Sequence, residues 1–163
     1  RTFYNSTFQF DEPTFKVEYI VIHHSETDDT IEPDYQAIRH YHIETKGWSD
    51  IGYHWLCEKI GNRYEIVKGR PMDKVGAHAR DGRMNKKSIG ICMVGNFNKL
   101  EPPQEQSFLT QSLVRDIMKL TNVASNNVIG HREVQVLAKV SKANIKTCPG
   151  TLFNMETFRS NLS

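Results

Sequence analysis

Three side chains with metal-ligand chemistry sit where ordered runs of this sequence give way to loops: His23, His131 and Cys148. His23 ends the β-branched and aromatic run that begins at Val17, and His131 follows the short apolar pair Val128-Ile129. Cys148 lies in Lys146-Thr147-Cys148-Pro149-Gly150, where Pro and Gly mark a turn. Neighbouring strand ends can meet in space however far apart they are in the chain. Two imidazoles and one thiolate are the donors that suit Zn²⁺. A structural zinc wants a fourth protein ligand, and no fourth residue of equal standing is present. Three ligands and an open position are the mark of a catalytic zinc. Each residue also has an ordinary reading: His23 and His131 as hydrogen-bonded structural histidines, Lys146 as a solvated surface lysine. A different chemistry makes Cys148 a nucleophile with His131 as base. Pro149 weakens that reading, because it removes a backbone N–H that could serve an oxyanion hole.

The remaining histidines and cysteines read more plainly. His40 and His42 fall on different faces of a helix as surface or half-buried residues. His54 alternates with Tyr53 on a strand, so the two point to opposite faces. His78 lies in Gly69–Lys87, a polar segment too long for a simple connector and therefore a place for function. Cys57 and Cys92 sit in apolar runs as reduced core thiols. With Cys148 they make a sparse, odd set of three, which is no disulfide framework.

The elements that must position these residues follow from periodicity. Val17–Ile22 is a buried strand. Pro33 fits a first helical turn and Gly47 a stop, which predicts a helix over Asp34–Lys46 with Ile38 and Tyr41 facing inward. Ile51–Ile60 and Arg63–Lys68 flank Gly61-Asn62, a hairpin signal. Ser88–Gly95 is a further strand. Leu109, Leu113, Ile117 and Leu120 form one stripe on a helix that begins after Pro102-Pro103. Val128-Ile129 is a short strand, and Met155, Phe158 and Leu162 share a face of a last helix. The order β-α-β-β-β-α-β-α predicts an α/β fold with a single mixed central sheet flanked by helices.

Composition bounds the function classes. The chain has 163 residues, 38% hydrophobic and 25% charged, which fits one globular domain over 1–163: an extended N-terminal arm, 1–16, and a core, 17–163. A scattered net charge of +2 gives no argument for nucleic acid. No apolar run reaches the roughly 18 residues of a membrane span. Asn5-Ser6-Thr7 matches a glycosylation sequon, which matters only in a secretory pathway. No signal peptide is visible, and the chain begins at Arg1 rather than Met.

Six segments in order resemble a known family: Ile22-His23-His24-Ser25, Asp50-Ile51-Gly52-Tyr53-His54-Trp55, Gly76-Ala77-His78-Ala79, Asn85 through Ser88-Ile89-Gly90-Ile91, Gly130-His131-Arg132-Glu133, and Lys146 to Gly150. Together they are similar to the type-2 zinc-dependent N-acetylmuramoyl-L-alanine amidases, a group that spans bacteriophage lysozyme-amidases, bacterial amidases and animal peptidoglycan recognition proteins. The resemblance runs from about Val17 to Phe158. It implies a zinc at the floor of a surface groove, one per chain, held by His23, His131 and Cys148. It implies that Tyr53 lies beside the zinc-bound water, that Lys146 stabilises the transition state, and that His78 lines the groove as a substrate-binding residue. His24 is then a structural neighbour. The connector Val134–Ile145 is longer than in the compact phage enzymes, and residues 1–16 have no counterpart. The loop after His23 lacks the cysteine pair of the animal proteins, which favours the phage or bacterial branch.

The activity implied is hydrolysis of the amide between N-acetylmuramic acid and L-alanine of peptidoglycan, as in an endolysin or bacterial wall amidase. The partner is then a muramyl peptide, and the protein acts on the bacterial cell wall as a monomer, synthesised in the cytoplasm if phage-encoded. The alternative is a recognition module that binds peptidoglycan without cutting it. Members of that kind lack a ligand, typically the cysteine, and this sequence keeps all three.

Overall fold

The computed structural model describes residues 2–5, 7–27 and 34–163. Pro33 and Ser6, on which the helix start and the sequon depend, lie outside them. Among the described residues five strands form one sheet: β1 (Tyr19–His24), β2 (Trp55–Ile60), β3 (Arg63–Lys68), β4 (Ser88–Met93) and β5 (Val128–Gly130), in spatial order β3-β2-β4-β1-β5. The β2–β3 hairpin is antiparallel and the other pairs are parallel. The helices are α1 (Asp34–His40), α2 (Gln104–Thr121), α3 (His131–Leu137) and α4 (Met155–Ser160). The fold is the expected mixed sheet flanked by helices.

Alternation along the strands decides which residues reach the functional face. Ile20, Ile22, Ile89, Ile91 and Met93 point to the main core with Leu113, Val114 and Ile117 of α2 and Met155 and Phe158 of α4. Val21 packs on the opposite face with Ala79, Met84, Ile129 and Val134, under α3. Two residues beyond Val21, His23 takes that second face. The register Ile22↔Gly130 then brings the next residues, His23 and His131, side by side past the last paired position.

The N-terminal arm covers the main core at the β3 edge. The Tyr4 N–H donates to the Ile66 carbonyl and the Lys68 N–H to that of Thr2. Trp55 is met edge-on by Tyr4, Phe8 and Phe10, with ring centroids 5.3–6.3 Å away. Backbone pairing there removes an exposed edge.

Three expectations fail locally. Tyr41 is 49% exposed, and His42 is the buried residue instead. The helix passes into a π turn over Tyr41–Thr45, closed by the Lys46 N–H on the Tyr41 carbonyl. The extra residue rotates the inward face by about 100° relative to a continuous α-helix. Leu120 is 37% exposed, whereas Gln106 and Thr110 are buried on the helix. Gln106 Nε2 donates to the carbonyls of Cys57 and Val94, tying α2 to the ends of β2 and β4. Residues 134–145, expected as a connector, begin as α3, whose entry is capped when Glu133 Oε1 accepts the Gly130 N–H. A glutamate three residues after the cap position was the legible signal.

His54 is fully buried between two backbone groups. Its Nε2–H donates to the Lys74 carbonyl (2.8 Å) and its Nδ1 accepts the Gly90 N–H (3.0 Å). Burial pushes its pKa down to about 4, below the roughly 6.5 of an unfolded histidine. The unfolded chain therefore binds the extra proton. The stability this ring contributes is present above about pH 6.5 and is lost as pH falls towards its folded value. In an NMR titration its resonances should keep the neutral form at pH 5.5, roughly a unit below an ordinary histidine midpoint. A midpoint near 6.5 contradicts the burial account.

Candidate metal centre

His23, His131 and Cys148 each turn one ligand atom to a common point, the three atoms lying within 4.8 Å of one another. His23 is buried, while the other two are partly open. The His23 and His131 rings are 4.7 Å apart, and Cys148 Sγ lies 3.8 Å from His23 Nδ1. Sequence pairing placed the two histidines; the Cys148 loop arrives by a separate set of contacts. Tyr53 puts its ring 5.2 Å from His23. Among the described residues no fourth histidine, cysteine or carboxylate joins the cluster.

The electrostatics of the three are those of neutral groups out of water. Burial lowers the His23 pKa well below the usual range, with His131 and His78 adding to the effect. Burial also lowers His131, offset by Asp81 and reinforced by the Lys146 ammonium. Burial pushes the Cys148 thiol up to about 12. A thiol so placed is no activated nucleophile, which would need its pKa lowered. Against a divalent cation the same thiol ionises outright, since the ion's charge replaces lost hydration. Two neutral imidazoles and one metal-ionised thiolate fit zinc in number and softness. Loss of hydration, with Cys92 and Cys148 alongside, holds the Tyr53 phenol well above its ordinary value and so protonated.

The Cys148 loop is held by α3. The Arg132 N–H donates to the Cys148 carbonyl (2.7 Å), and the Arg132 guanidinium donates to the carbonyls of Thr147, Gly150 and Phe153. Gln135 Oε1 accepts the Lys146 N–H at 2.7 Å. Gly150 has φ +123°, and a Cβ there would lie 2.5 Å from the Phe97 backbone, so only glycine fits this turn. Replacing Arg132 by Ala should free the loop and weaken zinc binding about 10- to 100-fold, read by chelator competition. Unchanged affinity would show that Gln135 and the turn suffice.

Beside the cluster runs a groove of about 700 Å³ lined in part by Trp48, His78, Arg80, His131, Asn144 and Lys146. Lys146 is exposed on it. His78 also lines it, but both its ring nitrogens are engaged inside the protein: Nδ1 lies 2.9 Å from His23 Nε2 and Nε2 lies 3.3 Å from Ser88 Oγ. The sequence assigns no role to Arg132, Gln135 or Ser88, because their roles are tertiary hydrogen bonds with no sequence period. His24 takes the structural part expected of it, its Nδ1 accepting the Phe97 N–H.

Known proteins resemble this chain over most of its length. A family described as N-acetylmuramoyl-L-alanine amidase, Amidase_2, matches residues 13–151. Peptidoglycan-recognition protein SC1a of Drosophila melanogaster is 34% identical over 143 residues, covering 83% of this chain and 69% of that one. An N-acetylmuramoyl-L-alanine amidase of Sus scrofa is 32% identical over 128 residues, which is 74% of this chain but 18% of that protein. Among solved structures, the N-acetylmuramoyl-L-alanine amidase LysC from Clostridium intestinale superposes with a TM-score of 0.73 at 30% identity, covering 96% of this chain and 93% of that one. Peptidoglycan recognition protein LE in complex with tracheal cytotoxin gives 0.69 at 25% identity, over 95% and 86% of the two chains. With its mixed sheet, its histidine–histidine–cysteine cluster and a match over most of its length, the chain belongs to the N-acetylmuramoyl-L-alanine amidase family.

Proposed function

We propose that this protein is a zinc hydrolase that cleaves the amide between N-acetylmuramic acid and the L-alanine of the stem peptide in peptidoglycan. The observation that carries this reading is the convergence of the His23, His131 and Cys148 ligand atoms beside an open groove. A zinc ion held by these three would supply a nucleophile at neutral pH and a Lewis acid for the scissile carbonyl, which water and an amide alone do not provide.

The chain's own residues do the rest. Tyr53, protonated and against His23, is a hydrogen-bond donor rather than a base, and orients the reacting groups. The Lys146 ammonium borders the same groove and offsets negative charge as it develops on the carbonyl oxygen. Trp48, Arg80 and Asn144 line the groove that would receive the muramyl peptide. Among the described residues no helix is long and apolar enough to cross a membrane. Action at the cell wall fits a second clostridial structure of similar likeness, an endolysine N-acetylmuramoyl-L-alanine amidase.

The animal relatives support a second reading, because they are named peptidoglycan-recognition proteins. The full ligand cluster weighs against binding alone. Digestion of purified peptidoglycan followed by mass spectrometry separates the two. Intact glycan chains with free stem peptides that begin in L-alanine are the expected products. Wall binding without release of peptides would establish the recognition module, and new reducing ends without free L-alanine would refute amide cleavage.

A further inference from the structure

Behind His23, on the side away from Cys148, lies a chain of hydrogen bonds whose direction is fixed at its far end. The Met84 carbonyl only accepts, so the Ser88 hydroxyl at 2.6 Å must donate to it. That spends the hydroxyl's one hydrogen. Towards His78 Nε2, 3.3 Å away, Ser88 Oγ can then only accept, so His78 carries its proton on Nε2 and leaves Nδ1 bare. His23 Nε2, 2.9 Å from that bare nitrogen, must donate. A neutral His23 therefore has its lone pair on Nδ1, the atom that faces Cys148 Sγ. We infer that Ser88 and His78 fix the tautomer of His23 and so present its Nδ1 to the metal, which makes both of them positioning residues for zinc binding.

The surroundings hold His78 to this one task. Asn85 Oδ1 accepts the N–H groups of His78 and Ala79, at 2.9 and 2.8 Å, and fixes the backbone that carries the ring. The ring lies against β4 at Gly90, where a Cβ would come within 2.4 Å of His78 Cγ. Any side chain at position 90 would push the imidazole off its two partners. With both nitrogens used inside the protein, His78 borders the groove without a free polar atom for substrate. Metal-bound histidines commonly have the second ring nitrogen held by an acceptor, and loss of such a partner lowers metal affinity about 10- to 100-fold. Here the acceptor is another imidazole, which could accept or donate, and the Ser88–Met84 link removes that ambiguity.

This inference rests on the zinc reading above, and the test separates the two. Nitrogen-15 NMR of the zinc-free wild-type protein should show His23 protonated on Nε2. Zinc affinity, measured by chelator competition, should fall about 10- to 100-fold in His78→Leu. It should recover in large part in His78→Asn, whose Oδ1 can stand where Nδ1 stood and can only accept. Ser88→Ala, a small change should His78→Leu fail to fold, should weaken zinc binding and give a mixture of His23 tautomers. A wild-type His23 protonated on Nδ1 overturns the inference, as does wild-type zinc affinity in Ser88→Ala together with an unchanged tautomer. Equal affinities for folded His78→Asn and His78→Leu also overturn it, since the ring would then only fill space. A wild-type protein that binds no zinc overturns the proposed metal site itself.

Discussion

Cys148→Ala is expected to leave the protein folded, empty of zinc and without amidase activity. The contacts that shape the Cys148 loop are made by backbone: the Cys148 carbonyl to the Arg132 N–H, the Lys146 N–H to Gln135, and the Thr147 and Gly150 carbonyls to the Arg132 guanidinium. The thiol itself makes only long approaches, 3.8 Å to His23 Nδ1 and 4.0 Å to the His24 carbonyl. Removing it costs the loop little. Structural zinc binding of about 10–16 kcal/mol shared over four ligands gives about 2.5–4 kcal/mol per ligand, a loss of affinity on the order of 10²–10³. Cys148→Ser should fall between, because an alcohol ionises far less readily than a metal-bound thiol. Metal analysis after dialysis, with wall digestion in parallel, checks both. Chelation of the wild type should reproduce the variant, and chelation of the variant should change nothing further. Full zinc content in Cys148→Ala would remove the thiolate from the ligand set.

What was legible in the sequence, and what was not, divides along physical lines. Strands β1 and β4 were legible because they are buried on both faces and read as apolar runs; Val17–Ile22 and Ser88–Gly95 enclose them, apart from His23 and His24. The convergence of His23 and His131 needed one further fact, that β1 and β5 are parallel neighbours in the register Ile22↔Gly130. Sequence supplies both strands but not their order in the sheet. The family resemblance filled that gap, and it pointed to Cys148 and Lys146 where a turn alone would have said little. Tyr41 misled because a π turn breaks the 3.6-residue period on which the inward face was judged. Nothing in the sequence gives Gln106 or the Ser88 hydroxyl a partner, and only the fold shows carbonyls waiting for them. His78 lines the groove. That both its nitrogens are already occupied is a tertiary fact no spacing could give.

Lys146→Ala should lower kcat by about 10²- to 10³-fold, or about 2.7–4 kcal/mol, with zinc content and wall binding nearly unchanged. The Gln135 side chain fixes the Lys146 backbone at 2.7 Å, so the alanine variant keeps the loop and loses only the exposed ammonium. That charge acts at the site already: it adds to the burial that lowers the His131 pKa and opposes in small part the burial that raises that of Cys148. An ammonium that reaches both ligands also reaches a carbonyl placed between them and the groove. The ground-state amide oxygen carries little charge, while the tetrahedral oxyanion carries a full one, so the interaction strengthens as the barrier is climbed. Such an interaction appears in kcat rather than in KM. Lys146→Arg should restore part of the rate, since its planar guanidinium keeps the charge but places it differently from a compact ammonium. A fall in wall affinity with kcat intact would make Lys146 a residue that grips the stem peptide. The oxyanion would then lack its protein cation, and the metal alone would have to stabilise it.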